Sequence, residues 1–212
     1  ECGSMSKIQV MDEVLANKIA AGEVVEKCMN VVKELVENAI DAKATSIKIE
    51  LMDSGVKEIK VTDDGIGMDR EDAVLAFSRH ATSKVKNEND LFHIGSLGFR
   101  GEALPSIASV SNVTLNTNNG VVGTEVEIHG GKLIAVNPSE LAKGTSILVR
   151  DLFYNTPVRL KYLKSLYTEL AYITEYVNKM ALSYPEIRFV LTNNDKVLLK
   201  TDGSGRLLKV IN

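Results

Sequence analysis

The chain has 212 residues, of which 44% are hydrophobic, and its formal net charge at pH 7 is -3. This length is sufficient to bury one sizeable core, so one globular domain is expected. No stretch approaches the roughly 20 consecutive apolar residues that a membrane-spanning helix requires, and the slightly acidic balance argues against tight nucleic-acid binding by this chain alone. We therefore expect a soluble, cytoplasmic protein with no membrane partner.

The cysteines and histidines indicate neither a disulfide nor a zinc site. Residues 1–4 precede Met5, which can serve as an initiator, so they are interpreted as a remnant of expression and the domain is assigned to residues 5–212. Setting Cys2 aside, Cys28 lies in an apolar helical pattern, which favours a packed core residue over a reactive nucleophile. The histidines are isolated from one another, so a bound metal is expected to have oxygen ligands.

The hydrophobic pattern of the first third predicts a helix followed by strands. Val24 to Ala42 carries its apolar residues on one broad arc at about 100° per residue, which predicts an amphipathic helix. Alternating segments at 46–51 and 58–63 predict two strands. The segment 64–96 is polar and punctuated by glycine, with one short helical pattern around 72–78, and its length is typical of a functional lid.

The rest of the chain is predicted to form mostly antiparallel strands with two helices. A short helix is predicted to end at Ser109, and Leu166 to Ser183 has the pattern of a longer amphipathic helix that stops before Pro185. The apolar run from Leu207 to Ile211 is interpreted as the beginning of another helix. Strands are predicted at 112–116, 124–129, 132–136, 145–152, 187–192 and 197–200, the last two joined as a hairpin.

Glu34 and Asn38 lie four residues apart in the first predicted helix. Both therefore project from one stripe of that helix, on the side away from its main apolar arc. The stripe presents a carboxylate and an amide together, which suits a polar ligand. An ordinary solvated helix face has the same composition, so that interpretation stays open at this point.

Three further elements contain glycine at positions where a ligand could approach the backbone. Asp63-Asp64-Gly65-Ile66-Gly67 ends a predicted strand with an acidic pair and a flexible turn. Gly98 to Leu104 places glycines before a predicted helix, where free N–H groups and the helix dipole can hold phosphate. Gly144-Thr145 opens a strand. Each element alone is also typical of a turn or a helix cap, and neither a Rossmann fingerprint nor a P-loop is present.

Taken together, these elements resemble, in order and spacing, the motifs of the GHKL ATPase superfamily of type II topoisomerases, sensor histidine kinases, heat-shock chaperones and MutL proteins. Five stretches narrow the resemblance: 18–26 (KIAAGEVVE), 32–38 (VKELVEN), 79–84 (RHATSK), 98–104 (GFRGEAL) and 153–157 (FYNTP). With them, the chain from Met5 onward is similar to the MutL family of DNA mismatch repair proteins. The resemblance implies a two-layer α/β (α+β) sandwich, with a mixed, mainly antiparallel sheet and helices on one face, that binds ATP and hydrolyses it slowly.

The resemblance implies a role for each motif residue. Glu34 would be the general base that activates water for attack on the γ-phosphate, and Asn38 would supply an oxygen to Mg²⁺. Asp63 would accept a hydrogen bond from the adenine amino group with support from Thr145, and Gly67 would allow close approach under the base. The other nucleotide contacts would come from the lid residues Thr82, Ser83 and Lys84 and from the phosphate-wrapping segment Gly98, Phe99, Arg100, Gly101, Glu102, Ala103 and Leu104.

Two of these roles have an alternative nearby. Glu37 lies about 60° from Glu34 around the same helix and is the second candidate for the base. Asp64 is the second candidate for the adenine contact of Asp63.

The sequence also departs from the family pattern at two places. Lys27-Cys28-Met29-Asn30 and Lys43 replace residues that are common in the family, and we expect them to change how the helix begins and ends while the chemistry stays intact. A basic cluster of Arg159, Lys161 and Lys164 is interpreted as a solvated helix end, with phosphate or DNA contact as the alternative.

The resemblance further implies partners. ATP and ADP would be the ligands, Mg²⁺ the cofactor, and a second copy the partner in an ATP-dependent dimer, while MutS and DNA would be engaged by the full-length protein in the bacterial cytosol. The chain is expected to lack a second N-terminal subdomain and a C-terminal region, so its own activity should be weak. The alternatives are a nucleotide-gated interaction module without meaningful turnover and another GHKL member, such as a kinase or topoisomerase subunit.

Overall fold

A computed structural model describes residues 19, 22, 24–78, 103–205 and 209–210. The helices with defined bounds are α1 (Cys28–Asp41), α2 (Arg70–Leu75), α3 (Ala103–Ser109), α4 (Pro157–Tyr162) and α5 (Leu166–Ser183). The strands are β1 (Ser46–Met52), β2 (Glu58–Asp63), β3 (Asn112–Asn118), β4 (Gly123–His129), β5 (Lys132–Pro138), β6 (Gly144–Arg150), β7 (Arg188–Asn193), β8 (Lys196–Lys200) and β9 (Lys209–Val210).

The strands form one nine-stranded sheet in the order β5-β4-β3-β6-β2-β1-β7-β8-β9. Every neighbouring pair is antiparallel except β1 and β7, which run parallel. The predicted mixed, mainly antiparallel sheet is therefore confirmed. No helix in the described part of the chain is both long and apolar enough to cross a membrane.

One face of the sheet is covered by helices and forms the core. In β1, Ile47, Ile49 and Leu51 are buried while Lys48 between them is exposed, which is the alternation of a strand with one covered face. Helix α1 packs on β2, and α5 packs on both α1 and β7. The two layers predicted from the sequence are thus present.

Helix α1 is held to the sheet by a regular apolar stripe. Its buried residues recur at intervals of three and four, as an amphipathic helix requires. They are Cys28, Val31, Val32, Leu35, Val36 and Ala39. Burial, together with the nearby carboxylate of Glu169, raises the pKa of the Cys28 thiol to about 12, which makes it an inert core residue as predicted.

The predicted start of this helix at Val24 is four residues early. Lys27 has extended backbone angles, and its N–H donates to the Asn30 side-chain oxygen over 2.8 Å, so the side chain of the third helical residue reaches back across the start. Lys27 and Asn30, two of the residues that depart from the family pattern, thus form the contact at the helix start.

The end of α1 is a Schellman motif built without glycine. The N–H of Ala44 donates to the carbonyl oxygen of Ala39 over 3.1 Å, and that of Lys43 donates to Ile40 over 2.9 Å. Lys43 carries the left-handed conformation of this motif, with φ at 60°. Because a side chain is disfavoured there, Lys43 adds a small strain to the helix end.

The interpretation of Leu207 to Ile211 as the beginning of a helix is wrong. Lys209 and Val210 form β9, which pairs antiparallel with Lys200 and Leu199 of β8. The backbone groups at the edge of the sheet offer a pairing partner that an apolar run alone does not reveal. The other predicted strands and helices are confirmed, with ends that differ by a few residues.

Candidate functional site

The helix-covered face carries successive rows of side chains that run across β2, β6, β3 and β4. Neighbouring residues in a row are direct partners in the strand register. Two rows are apolar, and the third is polar throughout. The first row is Ile59, Val149, Val113 and Ile128, the second is Val61, Ile147, Leu115 and Val126, and the third is Asp63, Thr145, Thr117 and Thr124.

This third row, the polar row, is largely shielded from water. Thr117 is 0% exposed, Thr124 is 2% exposed and Thr145 is 7% exposed. Buried polar groups need hydrogen-bond partners. A continuous polar row at the end of an apolar core is therefore a place where the side chains require other polar atoms as partners. The register thus brings the predicted residues Asp63 and Thr145 side by side.

Asp63 is a half-buried carboxylate with few donors. Its Oδ1 accepts the N–H of Gly65 over 2.8 Å, and within the described residues no side chain donates to it. Desolvation raises the pKa of Asp63 to about 6, against the opposing effect of the backbone N–H groups of Gly65 and Thr145, with a smaller upward contribution from the charge of Asp64. A carboxylate in this state gains from a ligand that donates a hydrogen bond to it.

Asp64, the alternative to Asp63, is already engaged. Its Oδ1 accepts the N–H of Thr45 over 2.7 Å and that of Ser46 over 2.9 Å, and its Oδ2 accepts the Thr45 hydroxyl. Desolvation acts to raise the pKa of Asp64, but these hydrogen bonds outweigh it and hold the pKa below its usual range. Asp64 therefore fastens the start of β1, which leaves Asp63 as the ligand-binding candidate.

Gly67 is required by a close backbone approach. Its φ is 69°, and a Cβ at this position would lie 2.0 Å from the carbonyl oxygen of Asn118 at the end of β3. Only glycine fits such a contact. The structure thus shows Gly67 packed against β3; the expected contact with a nucleobase stays a prediction.

Glu34 and Asn38 project from α1, but not as a solvated stripe. Both residues are half-buried, and Oε2 of Glu34 and both amide atoms of Asn38 are shielded from solvent. Within the described part of the chain, neither amide atom of Asn38 has a hydrogen-bond partner. An amide buried in this way leaves its hydrogen-bonding capacity for a ligand or an ion.

Asn38 is the residue predicted to supply an oxygen to Mg²⁺. Among the described residues, no group of three or more His, Cys, Asp or Glu side chains is placed to hold a metal ion. A Mg²⁺ ion bound through one protein oxygen, with phosphate and water oxygens as its other ligands, is the kind of site that Asn38 fits.

Part of the predicted site lies outside the described residues. This applies to the lid residues Thr82, Ser83 and Lys84 and to Gly98, Phe99, Arg100, Gly101 and Glu102 of the phosphate segment. Of that segment, Ala103 is buried at the first position of α3, and Leu104 packs against the core.

The basic cluster divides into two kinds of residue. Lys161 and Lys164 are exposed, as expected of a solvated helix end. Arg159 instead is half-buried, with Nη1 3.4 Å from the carbonyl oxygen of Val25 and its guanidinium lying against Gly22, so close that a Cβ there would be 1.7 Å from Nη2. Arg159 therefore fastens the segment before α1.

Sequence reasoning missed two members of this site. Thr117 and Thr124 were not singled out, and the strand that ends with Thr117 and Asn118 was predicted to stop at Asn116. The signal was present: Val113, Leu115 and Thr117 continue one alternation. Recognising the row also requires the strand order, in which β6 lies between β2 and β3.

Comparisons with known proteins identify the family of this chain. The family of histidine kinase-, DNA gyrase B- and HSP90-like ATPases matches residues 26–133. The chain is 55% identical over 207 residues to the DNA mismatch repair protein MutL of Shouchella clausii and 57% identical over 208 residues to that of Staphylococcus carnosus. In both cases the match covers 98% of this chain and 32% of the relative, so the chain spans about a third of their length.

Two solved structures share the fold. The Aquifex aeolicus MutL ATPase domain complexed with ADP superposes with a TM-score of 0.69 at 35% identity, over 85% of this chain and 65% of that one. The N-terminal domain of a DNA repair protein superposes with a TM-score of 0.77 at 29% identity, over 90% of this chain and 58% of that one. This chain therefore belongs to the histidine kinase-, DNA gyrase B- and HSP90-like ATPase family and is a MutL-type ATPase domain.

Proposed function

We propose that the polar row forms the adenine end of a nucleotide site and that the polar atoms of α1 form its phosphate end. The observation that carries the proposal is the pairing of Asp63 with Thr145 at the end of the core, where a half-buried carboxylate lacks side-chain donors within the described residues. The neighbouring fold of Aquifex aeolicus MutL, which was solved with ADP, supports a nucleotide here.

The chemistry of Asp63 selects adenine. The exocyclic amino group of adenine donates a hydrogen bond, which the Asp63 carboxylate accepts. A guanine carbonyl in the same place would face the carboxylate and leave two acceptors opposed in a desolvated site. Thr145 supports the contact from the neighbouring strand, and Gly67 lets the backbone pass close to the base.

At the phosphate end, Asn38 would hold Mg²⁺ through its side-chain oxygen. The ion, when bound, would neutralise charge on the phosphates. Glu34, one turn earlier on the same helix, is suited to orient water and accept its proton. We propose that the lid residues 82–84 and the segment 98–104 complete the phosphate contacts.

The wider role concerns the longer protein. We propose that nucleotide binding gates dimerisation through this domain and that hydrolysis resets it, so that mismatch recognition by MutS is coupled to later repair steps on DNA in the bacterial cytosol. Support comes from bacterial mismatch repair relatives about three times as long as this chain. Within that protein, residues 5–212 would act as the nucleotide-responsive domain.

The catalytic assignment is tested by Glu34→Gln, with Glu37→Gln as the matched control on the same helix. Single-turnover ATP hydrolysis with Mg²⁺ in excess should fall by about a hundredfold or more in Glu34→Gln, because the glutamine amide cannot accept the proton. Calorimetric titration with a non-hydrolysable ATP analogue should show that both variants still bind. Glu37→Gln should hydrolyse at close to the wild-type rate.

Each other outcome has its own meaning. Loss of hydrolysis in Glu37→Gln alone would move the base to Glu37. Binding by the wild type with no hydrolysis above the uncatalysed rate would favour the nucleotide-gated interaction module over an active ATPase fragment.

A further inference from the structure

Thr117 lies at the centre of the polar row and makes three hydrogen-bond contacts. Its Oγ1 accepts the N–H of Met68 over 2.9 Å, lies 2.9 Å from Oγ1 of Thr145, and lies 3.2 Å from the carbonyl oxygen of Gly144. The side chain is 0% exposed. Thr117 thus joins the loop that contains Gly67 to the residue expected to support the adenine contact.

The protons of this cluster can be counted. A threonine hydroxyl has one proton to donate and two lone pairs to accept with. The Met68 N–H occupies one lone pair of Thr117, so the remaining proton goes either to Thr145 or to Gly144. The Thr145 contact at 2.9 Å lies within the usual O–H···O range, whereas the Gly144 contact at 3.2 Å lies beyond it.

The two possible directions of the Thr117 hydroxyl give Thr145 opposite hydrogen-bonding roles. If Thr117 donates to Thr145, the Thr145 proton is released to point away from Thr117. If Thr117 donates to Gly144, Thr145 must donate to Thr117, and it then presents only lone pairs to a ligand. The direction of one hydrogen bond therefore decides whether Thr145 donates or accepts.

We propose that Thr117 is a positioning residue that makes the Thr145 hydroxyl a hydrogen-bond donor toward the adenine ring. The chain runs from the Met68 N–H through Thr117 to Thr145, and each bond polarises the next in the same direction. With the adenine amino group on Asp63, the nearest acceptor of the base is ring nitrogen N1, which is bonded to the carbon that carries the amino group. This inference rests on the proposed adenine site.

The test is a chemical double-mutant cycle between Thr117 and N1. ADP is compared with 1-deaza-ADP, in which a C–H group replaces N1, by calorimetric titration of wild type, Thr117→Val and Thr117→Ser. In the wild type, loss of N1 should weaken binding by about tenfold, since one neutral hydrogen bond is removed. In Thr117→Val the Thr145 hydroxyl is no longer held in the donating orientation, so the ratio of the dissociation constants of 1-deaza-ADP and ADP should fall toward one. Thr117→Ser, which keeps the hydroxyl, should restore the wild-type ratio.

The ratio of the two dissociation constants distinguishes a positioning role of Thr117 from a purely structural one. If Thr117 only braced the loop at Met68, Thr117→Val would weaken both nucleotides equally and leave the ratio at its wild-type value, which would overturn the proposal. The matched control is Thr192→Val, because Thr192 is a buried strand threonine that lies on β7, outside the polar row. Its ratio should equal that of the wild type.

An error in the proposed adenine site would give a different result in the same titrations. If wild-type protein binds neither nucleotide, the adenine site itself is wrong. If the wild type binds ADP and 1-deaza-ADP equally, the adenine site stands and the donor role of Thr145 is refuted. Should Thr117→Val fail to fold, Thr117→Ala and the serine variant provide the same comparison.

Discussion

Adjacent rows on one face of the same sheet have opposite characters. The two apolar rows across β2, β6, β3 and β4 are filled by Ile, Val and Leu, whereas the polar row holds one Asp and three Thr. Backbone hydrogen bonding is the same in all three rows. The difference therefore lies in what the side chains face: other apolar groups in the first two rows and, in the function proposed above, a ligand in the third.

This contrast shows how the domain divides its residues between stability and function. Apolar side chains gain free energy on burial, whereas a carboxylate in a similar position loses hydration. Asp63 is therefore a residue that destabilises the free domain and becomes favourable when a donor reaches it. A polar row that was optimised for stability alone would continue the pattern of the core.

The largest expected effect comes from weakening an apolar row. Leu115→Ala removes a fully buried side chain and should lower the free energy of unfolding by about 3 kcal/mol, because the cavity is only partly refilled. Thr124→Val in the polar row should change it by less than about 0.5 kcal/mol in the destabilising direction, or stabilise the fold, since its hydroxyl is unpaired within the described residues. Urea unfolding measures both, and equal losses would contradict the division between rows.

An intermediate effect is expected for Asp63→Asn, and it should depend on pH. The pKa of Asp63 rises from an ordinary 3.8 to about 6 in the fold. Between these values the folded state holds more protons than the unfolded state, so this carboxylate lowers stability as pH rises from about 4 to about 6. The asparagine side chain keeps an acceptor for the Gly65 N–H but carries no charge.

At pH 7 the Asp63→Asn variant should therefore be more stable than the wild type by on the order of 2 kcal/mol. As the pH falls below the unfolded value of 3.8, the difference in stability should shrink toward zero, because Asp63 then becomes neutral in the unfolded state as well. The measurement is urea unfolding across pH 3.5 to about 7.5. A stability difference that does not change with pH would show that Asp63 is not the strained carboxylate described here.

The smallest expected effect on stability is at the end of α1, the helix that carries Glu34 and Asn38. Lys43→Gly should stabilise the domain by about 0.5 kcal/mol, because glycine adopts the left-handed conformation without the Cβ contact, although it also gains freedom in the unfolded chain. Thermal unfolding should show a rise of a few degrees with nucleotide affinity unchanged. A fall in the melting temperature would mean that the Lys43 side chain stabilises the helix end.

Periodicity predicted most of the fold because the exposed and buried faces of α1, β1 and α5 alternate cleanly. It failed at two places. At Lys27 a local hydrogen bond to Asn30 sets a later helix start, and at Lys209 and Val210 a tertiary contact with the edge of the sheet forms a strand. These outcomes depend on partners that are distant in sequence or on one side-chain hydrogen bond.

The candidate site residues that belong to a sequence motif could be predicted from the sequence. Those that join the site only through the strand register could not. The family resemblance implied one shared contact for Asp63 and Thr145, and the register makes the two residues neighbours. The alternation of Val113, Leu115 and Thr117 extends the strand to Thr117, but only the register and the hydrogen bonds place Thr117 beside Thr145. The choice between Asp63 and Asp64 likewise needed the contacts with Thr45 and Ser46.

The most direct test of the account is a calorimetric titration of a non-hydrolysable ATP analogue with Mg²⁺ into wild type, Asp63→Asn and Asp64→Asn. In Asp63→Asn the new amide would turn its N–H₂ group toward the adenine amino group while its oxygen holds the Gly65 N–H, so affinity should fall by about a hundredfold or more. Asp64→Asn should lose stability and keep its affinity in the folded fraction. Equal affinity of wild type and Asp63→Asn would contradict the assignment of the polar row as the adenine site.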